Sequence, residues 1–288
     1  MISRWARRLI FDPLQALPVV IIYYVLKTLP IDLASGSMGA LARFVGPYLK
    51  VSELGRKNLS LAFPKKTPQE RELILKGVWE NLGRVVGEFP HMDTIGTSST
   101  RVEIVNGDLI AKLRDDGHPG IFIAAHLANW ELPHLTVTDH GLAIALISRP
   151  PNNWILRWFL DYVRRNALVH LILKGSAGSK ELLKLLQQGG HVGILVDQRL
   201  SEGELIPFFG KDAFTAVGPS KLAAKYKAPL VPVQVERLKG AHFRVTFHKP
   251  VELKETPEKT TEALNKIIEK WIIKHPEQWL WLHNRWKL

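Results

Sequence analysis

Two kinds of apolar pattern alternate along this chain. Short unbroken apolar runs at 121–125, 143–147, 192–196 and 230–235 read as strands buried on both faces. Between them, 153–165 and 177–188 carry apolar residues at helical spacing and read as amphipathic helices. Upstream, Thr67-Pro68-Gln69-Glu70 is a capping-box start with proline at the first helical position, opening a helix that runs to about Val86. Residues 36–50 have helical spacing but are rich in glycine, and that pattern ends near Gly46-Pro47. Period-two alternation returns at 243–247 and 278–286, and the tryptophan-dense 276–287 reads as a core strand that closes the domain. Strand and helix alternate through the middle of the chain, so an α/β sandwich is the economical architecture. In such sheets the chemistry sits where strands end and helices begin.

The N-terminus follows neither pattern. Residues 13–26 are uncharged, between Asp12 and Lys27, and 14 residues are too few to span a bilayer, which takes about 20. A snorkelling Lys27 would extend the stretch to Ile31, though Pro18 and Pro30 punctuate it. No small-residue cleavage site follows, which argues against a signal peptide. Three readings stand: an interfacial anchor, which is favoured, a true span, and a buried helix. The expected organisation is a membrane-associated segment, 1–35, followed by one domain, 36–288.

Composition narrows the chemistry. The 288 residues include no cysteine, which removes disulfides, thiolate nucleophiles and sulfur-based metal sites. With 39 Lys+Arg against 27 Asp+Glu the net charge is +12, suited to a polyanion. Residues 1–60 hold 8 basic and 3 acidic side chains, 61–141 hold 8 and 11, 142–190 hold 7 and 2, and 205–249 hold 8 and 2. The positive segments are also apolar, which favours a membrane surface over nucleic acid.

The most suggestive chemistry lies at the end of the 121–125 strand, in Ala125-His126-Leu127-Ala128-Asn129-Trp130-Glu131. A histidine just past a strand, with Glu131 five residues on, can form a His–acid dyad in which the carboxylate holds one ring nitrogen as N–H. The other nitrogen is then free to take a proton from a hydroxyl. The competing reading is a structural histidine. No G-x-S-x-G, Walker A, G-x-G-x-x-G or H-E-x-x-H sequence is present, and the spacing of His134 and His140 from His126 fits no common metal site. Asp197 and Gln198 end another buried strand, where they either meet a ligand or cap a turn. Gly218-Pro219 opens a helix that either meets an anion or makes an ordinary turn. Arg149 follows a strand, and Arg164-Arg165 end an aromatic helix, as a solvated face or as a fork for phosphate.

The ordered set AHLANWE (125–131), SRPPNN (148–153), GILVDQ (193–198), PFFG (207–210), TAVGP (215–219) and PEQWLWLHNRWK (276–287) resembles the bacterial lipid A lauroyl/myristoyl (late) acyltransferases. RKNLSLAFP (56–64) also matches their N-terminal region, so the resemblance covers nearly the whole chain. It implies an α/β fold with a mixed central sheet flanked by helices, glycerolipid-acyltransferase-like, behind an N-terminal membrane-associated helix. The implied activity moves a fatty acyl chain from acyl carrier protein to a hydroxyl of an anionic lipid A precursor at the cytoplasmic face of the cell inner membrane. No cofactor, metal or nucleic acid is implied. Carried onto this sequence, His126 resembles the general base, Glu131 its carboxylate partner, Arg164 the family's arginine and Asp197 the aspartate closing GIL-x-DQ. Arg165 competes with Arg164 for that match. Asn129, Trp130, Arg149, Arg165, Gln198 and Gly218 are expected to bind substrate. Asn284 departs from the arginine usual in the C-terminal motif. The alternatives are an acyltransferase for another glycolipid or aminolipid, and a catalytically idle lipid-binding homologue.

Overall fold

A computed structural model of the chain describes residues 7–164 and 169–287. After a π-helical turn at Arg7–Phe11, four helices open the fold: α1 (Asp12–Thr28), α2 (Ile31–Val45), α3 (Ser52–Ala62) and α4 (Pro68–Glu88). There follow α5 (Met92–Gly96), β1 (Val102–Val105), α6 (Asp108–Asp115), β2 (Gly120–Ala124), α7 (Leu132–Asp139) and β3 (Ile144–Ser148). Next come α8 (Trp154–Arg164), β4 (Val169–Leu173), α9 (Ser176–Gln187), β5 (His191–Leu195), β6 (Glu204–Phe208) and β7 (Lys211–Thr215). The chain ends with α10 (Gly218–Tyr226), β8 (Leu230–Lys239), β9 (His242–Phe247) and α11 (Pro257–Lys274). Residues 35 and 36, where the expected N-terminal segment meets the rest, both lie in α2.

Seven strands form one mixed sheet in the order β1-β9-β8-β2-β5-β3-β4, and β6 and β7 make a separate hairpin. Neighbours pair in parallel except β8 and β9, so β1 and β9 run against the other five. Successive side chains of β2 feed two cores. Ile121 and Ile123 pack with α3, α4, α9 and α11, whereas Phe122 packs with α6, α7 and the β8–β9 pair. The four strands anticipated in the centre of the sheet form, because continuous apolar runs suit strands covered on both faces. Within this sheet the two strands without a clear signal in the sequence, β1 and β4, are its edges, where partial exposure admits polar residues, and the separate β6–β7 hairpin has no strand signal in the sequence either.

The capping box forms as expected. The Thr67 hydroxyl accepts from the Glu70 N–H, and the Glu70 carboxylate accepts from the Thr67 N–H at 2.7 Å. The C-terminal strand does not form. The tryptophans do alternate inward, with Trp279 and Trp281 fully buried, but Pro276–Gln278 is a 3-10 turn and, among the described residues, the segment's one ladder contact is an isolated bridge from Trp279 to Leu127. The backbone of this segment is engaged by the loop after β2: Leu280 N–H donates to the His126 carbonyl at 3.1 Å, and Ala128 N–H donates to the Gln278 carbonyl at 2.9 Å. A segment whose backbone is used in this way has no row of groups left to extend a sheet.

Candidate active site

Strand register brings the main pair together. In the parallel β2–β5 pairing Ala124 sits opposite Leu195, and His126 and Asp197 each lie two residues further along their chains. The His126 N–H donates to Asp197 Oδ2 at 2.9 Å, and His126 Nδ1 lies 2.8 Å from Oδ1. The indole Nε1–H of Trp279 donates to Oδ2 at 2.7 Å. Asp197 is fully buried, and three donors hold its charge in place of water.

This arrangement sets the protonation states. A carboxylate only accepts, so Nδ1 carries the proton and Nε2 presents its lone pair outward. The Gln198 amide lies 3.3 Å from Nε2. Burial pushes His126 down, but the charge and hydrogen bond of Asp197, with the charge of Glu131 behind them, outweigh burial and leave the imidazole above its ordinary value. Burial acts to raise Asp197, but the His126 contact overrides it and holds the carboxyl far below the usual range. The carboxylate bonded to the ring nitrogen is therefore Asp197, while Glu131 reaches the imidazole through its charge.

The loop that carries His126 is clamped from behind. Ala128 adopts a left-handed conformation, φ 49°, which is costly for a residue with a Cβ and must be held by its surroundings. The Asn81 amide donates to the Ala128 carbonyl at 3.1 Å. Asn129 is fully buried, and its amide donates to Glu88 Oε2 at 2.9 Å. Glu88 also accepts from Ser35 Oγ at 2.7 Å and takes a two-pronged ion pair from Arg237, whose Nε donates to Asn81 Oδ1 at 2.9 Å. Asn129 thus faces this buried network on the side of the loop away from solvent. Glu88 and Arg237 lie 149 positions apart, so nothing local in the sequence points to the pair. The Trp279 donor was equally hidden, although the tryptophan density of 276–287 marked the region.

Trp130 and Glu131 stand where three cavities converge. The first, about 150 Å³, lies between the sheet and α7, lined by Phe122, Ala124, Leu146, Gly193 and Leu195. Gly193 leaves no room for a side chain, because a Cβ there would come 2.7 Å from Leu146 Cδ2. A second of about 390 Å³ lies beside Lys27, Asp93 and His134 and is lined by Glu131 alone of the pair. The third, also about 390 Å³, is an apolar cleft among α1, α4 and α8 that reaches both Trp130 and Glu131. The Trp130 ring centroid is 5.4 Å from that of His126. A proton-accepting nitrogen whose ring neighbour, Trp130, lines apolar cavities can do general-base chemistry on a substrate with a hydrocarbon tail.

The remaining expected residues fall at strand and helix ends. Gln198 is exposed beside His126, Arg149 is exposed just past β3, and Gly218 is exposed at the start of α10. Arg164 ends α8, and Arg165 lies outside the described residues. Among the described residues no group of three or more His, Asp or Glu side chains could hold a metal ion. The helix spanning Arg8–Thr28 is long and apolar enough to cross a membrane, by length and composition.

Residues 13–288 match the family model described as bacterial lipid A biosynthesis acyltransferase. The lipid A biosynthesis palmitoleoyltransferase of Escherichia coli K12 is 26% identical over 260 residues, covering 87% of this chain and 82% of its own. The lauroyltransferase of the same organism is 23% identical over 250 residues, covering 82% of this chain and 79% of its own. Its myristoyltransferase is 23% identical over 253 residues, covering 85% and 78%.

Proposed function

The chain belongs to the bacterial lipid A biosynthesis acyltransferase family, and from that premise we propose that it transfers a fatty acyl chain from acyl carrier protein to a hydroxyl of a lipid A precursor at the cytoplasmic face of the inner membrane. The observation that carries this reading is a carboxylate-held imidazole whose Nε2, 3.3 Å from the Gln198 amide, is the basic nitrogen, next to Trp130, which with Glu131 lines two apolar cavities.

In this mechanism His126 Nε2 takes the proton of the acceptor hydroxyl as its oxygen attacks the thioester carbonyl. Asp197 keeps the proton on Nδ1 and stabilises the imidazolium that forms. Collapse of the tetrahedral species breaks the carbon–sulfur bond, and the departing thiolate takes the proton from His126. No covalent acyl-enzyme is formed, consistent with a chain that has no cysteine and no nucleophile elbow. Glu131 supports the imidazolium through its charge at the mouth of the cavities. Arg164, or Arg165 beside it, meets the anionic acceptor or the developing oxyanion. Gln198, Arg149, Trp130 and Gly218 contact substrate, and Asn129 contributes by holding the loop through Glu88.

Mass spectrometry of total lipid A from cells with and without the gene tests this function. Loss of one acyl chain, restored by the wild-type gene and not by His126→Ala, is the expected result. An unchanged profile would redirect the search to another glycolipid or aminolipid acceptor, or to an idle lipid-binding role.

A further inference from the structure

Helix α1 together with the π-helical turn before it, Arg8–Thr28, is long enough to cross a bilayer, but α1 is fastened to the folded body near both ends. Near its start, the Asn153 amide donates to the Asp12 carbonyl at 2.8 Å. Near its end, the His91 ring donates through Nε2 to the Leu26 carbonyl at 2.9 Å. Between these points Asp12, Ala16, Tyr23 and Leu26 form one buried stripe, and Tyr23 packs edge-on against Phe89 and Phe159 at 6.2 and 5.0 Å. The opposite face exposes Leu14, Leu17, Ile21, Tyr24 and Val25, each at least 50% exposed.

Helix α8 lies alongside and runs in the same direction. Asn153 caps its first turn through Oδ1, accepting from Ile155 N–H at 3.0 Å, while its amide holds Asp12. Phe159 reaches Tyr23 and Tyr24 further along α1. The outer face of α8 shows Trp154, 53% exposed, and Trp158, 64% exposed, beside exposed Arg157 and Asp161. Tryptophan with charge on one helix face suits the headgroup boundary and not the hydrocarbon centre. A crossing α1 would draw its neighbour's Arg157 and Asp161 into the bilayer core, which is costly.

We propose that α1 does not cross the membrane but lies flat in one leaflet beside α8, the two helices forming a single face that docks on an anionic bilayer. Exposed Arg8, Lys27 and Arg157 edge this face and match its charge. The apolar cleft between the helices, which ends at Trp130 and Glu131, then opens toward lipid. Only the choice of a lipid surface rests on the acyltransferase reading.

Because the chain has no cysteine, an introduced one is a unique reporter. Full-length Ser3→Cys and Asp212→Cys proteins are labelled with a membrane-impermeant maleimide in inverted inner-membrane vesicles and in spheroplasts. Both positions labelling from the same side is expected, and labelling from opposite sides overturns the flat placement. Separately, Trp154→Ala/Trp158→Ala protein should partition about tenfold more weakly onto phosphatidylglycerol vesicles than wild type, since binding scales with the apolar area buried. Unchanged partition removes α8 from the face. Neither readout involves turnover, so failure of the acyltransferase reading would leave both results interpretable.

Discussion

His126 Nδ1 lies 2.8 Å from Asp197 Oδ1, and strand register puts it there. The two residues are 71 positions apart, but β2 and β5 are parallel neighbours that end level, so each chain places its next polar side chain at the same edge. Trp279, from the end of the chain, closes the second carboxylate oxygen.

His126→Ala and Glu131→Ala should each lower turnover by at least about 10²-fold, the scale of a positioned general acid–base group. The measurement is transfer from acyl carrier protein to a lipid A precursor, with circular dichroism to check folding. Near wild-type turnover by a folded His126→Ala protein would refute the proposed base.

The pH profile tests which carboxylate sets the base. Burial alone would lower His126, but the Asp197 charge outweighs it and raises the group. The base works when neutral, so kcat/KM should rise with pH through a midpoint above the ordinary histidine value of about 6.5. Asp197→Asn removes the raising charge and should move that midpoint to lower pH while reducing the plateau. An unmoved midpoint would mean that Asp197 does not set the charge of His126.

Trp279→Phe keeps an aromatic ring in the core and deletes one donor to the buried Asp197 carboxylate. Leaving that oxygen short of a partner should cost about 1–3 kcal/mol, read in denaturant unfolding. A larger loss of turnover than of stability would mark the indole N–H as a positioning group for Asp197.

Glu88→Gln strips the charge that pairs with Arg237. Breaking a buried ion pair from one side costs about 3–5 kcal/mol because the partner's charge remains buried. Unfolding of the single variant and of Glu88→Gln/Arg237→Met should show the double variant recovering part of the loss. Additive losses would mean that the pair is not coupled.

Donor transfer should slow as salt rises from about 50 to 500 mM, because a basic surface steers an acidic carrier and screening weakens that steering. A flat response would assign the +12 charge to the membrane alone.

What the sequence determined by itself was whatever depends on near neighbours or on an ordered set of motifs. The central strands were legible as unbroken apolar runs, and the α4 start as a capping box, because burial on both faces and reciprocal capping leave local signatures. The ordered motifs were enough to point to the family, and His126 stood out at the end of β2. Tertiary structure alone decided which carboxylate touches the imidazole. Glu131 is five residues away and was the natural partner by spacing, but the ring nitrogen meets Asp197, which only parallel register brings level. The C-terminal alternation looked like a strand because alternate burial and strand pairing share the same period. The backbone hydrogen bonds went to the His126 loop instead, a choice no local pattern encodes. The Glu88–Arg237 pair was illegible for the same reason: its energy comes from burying two distant charges together, and that burial exists only once the fold has formed.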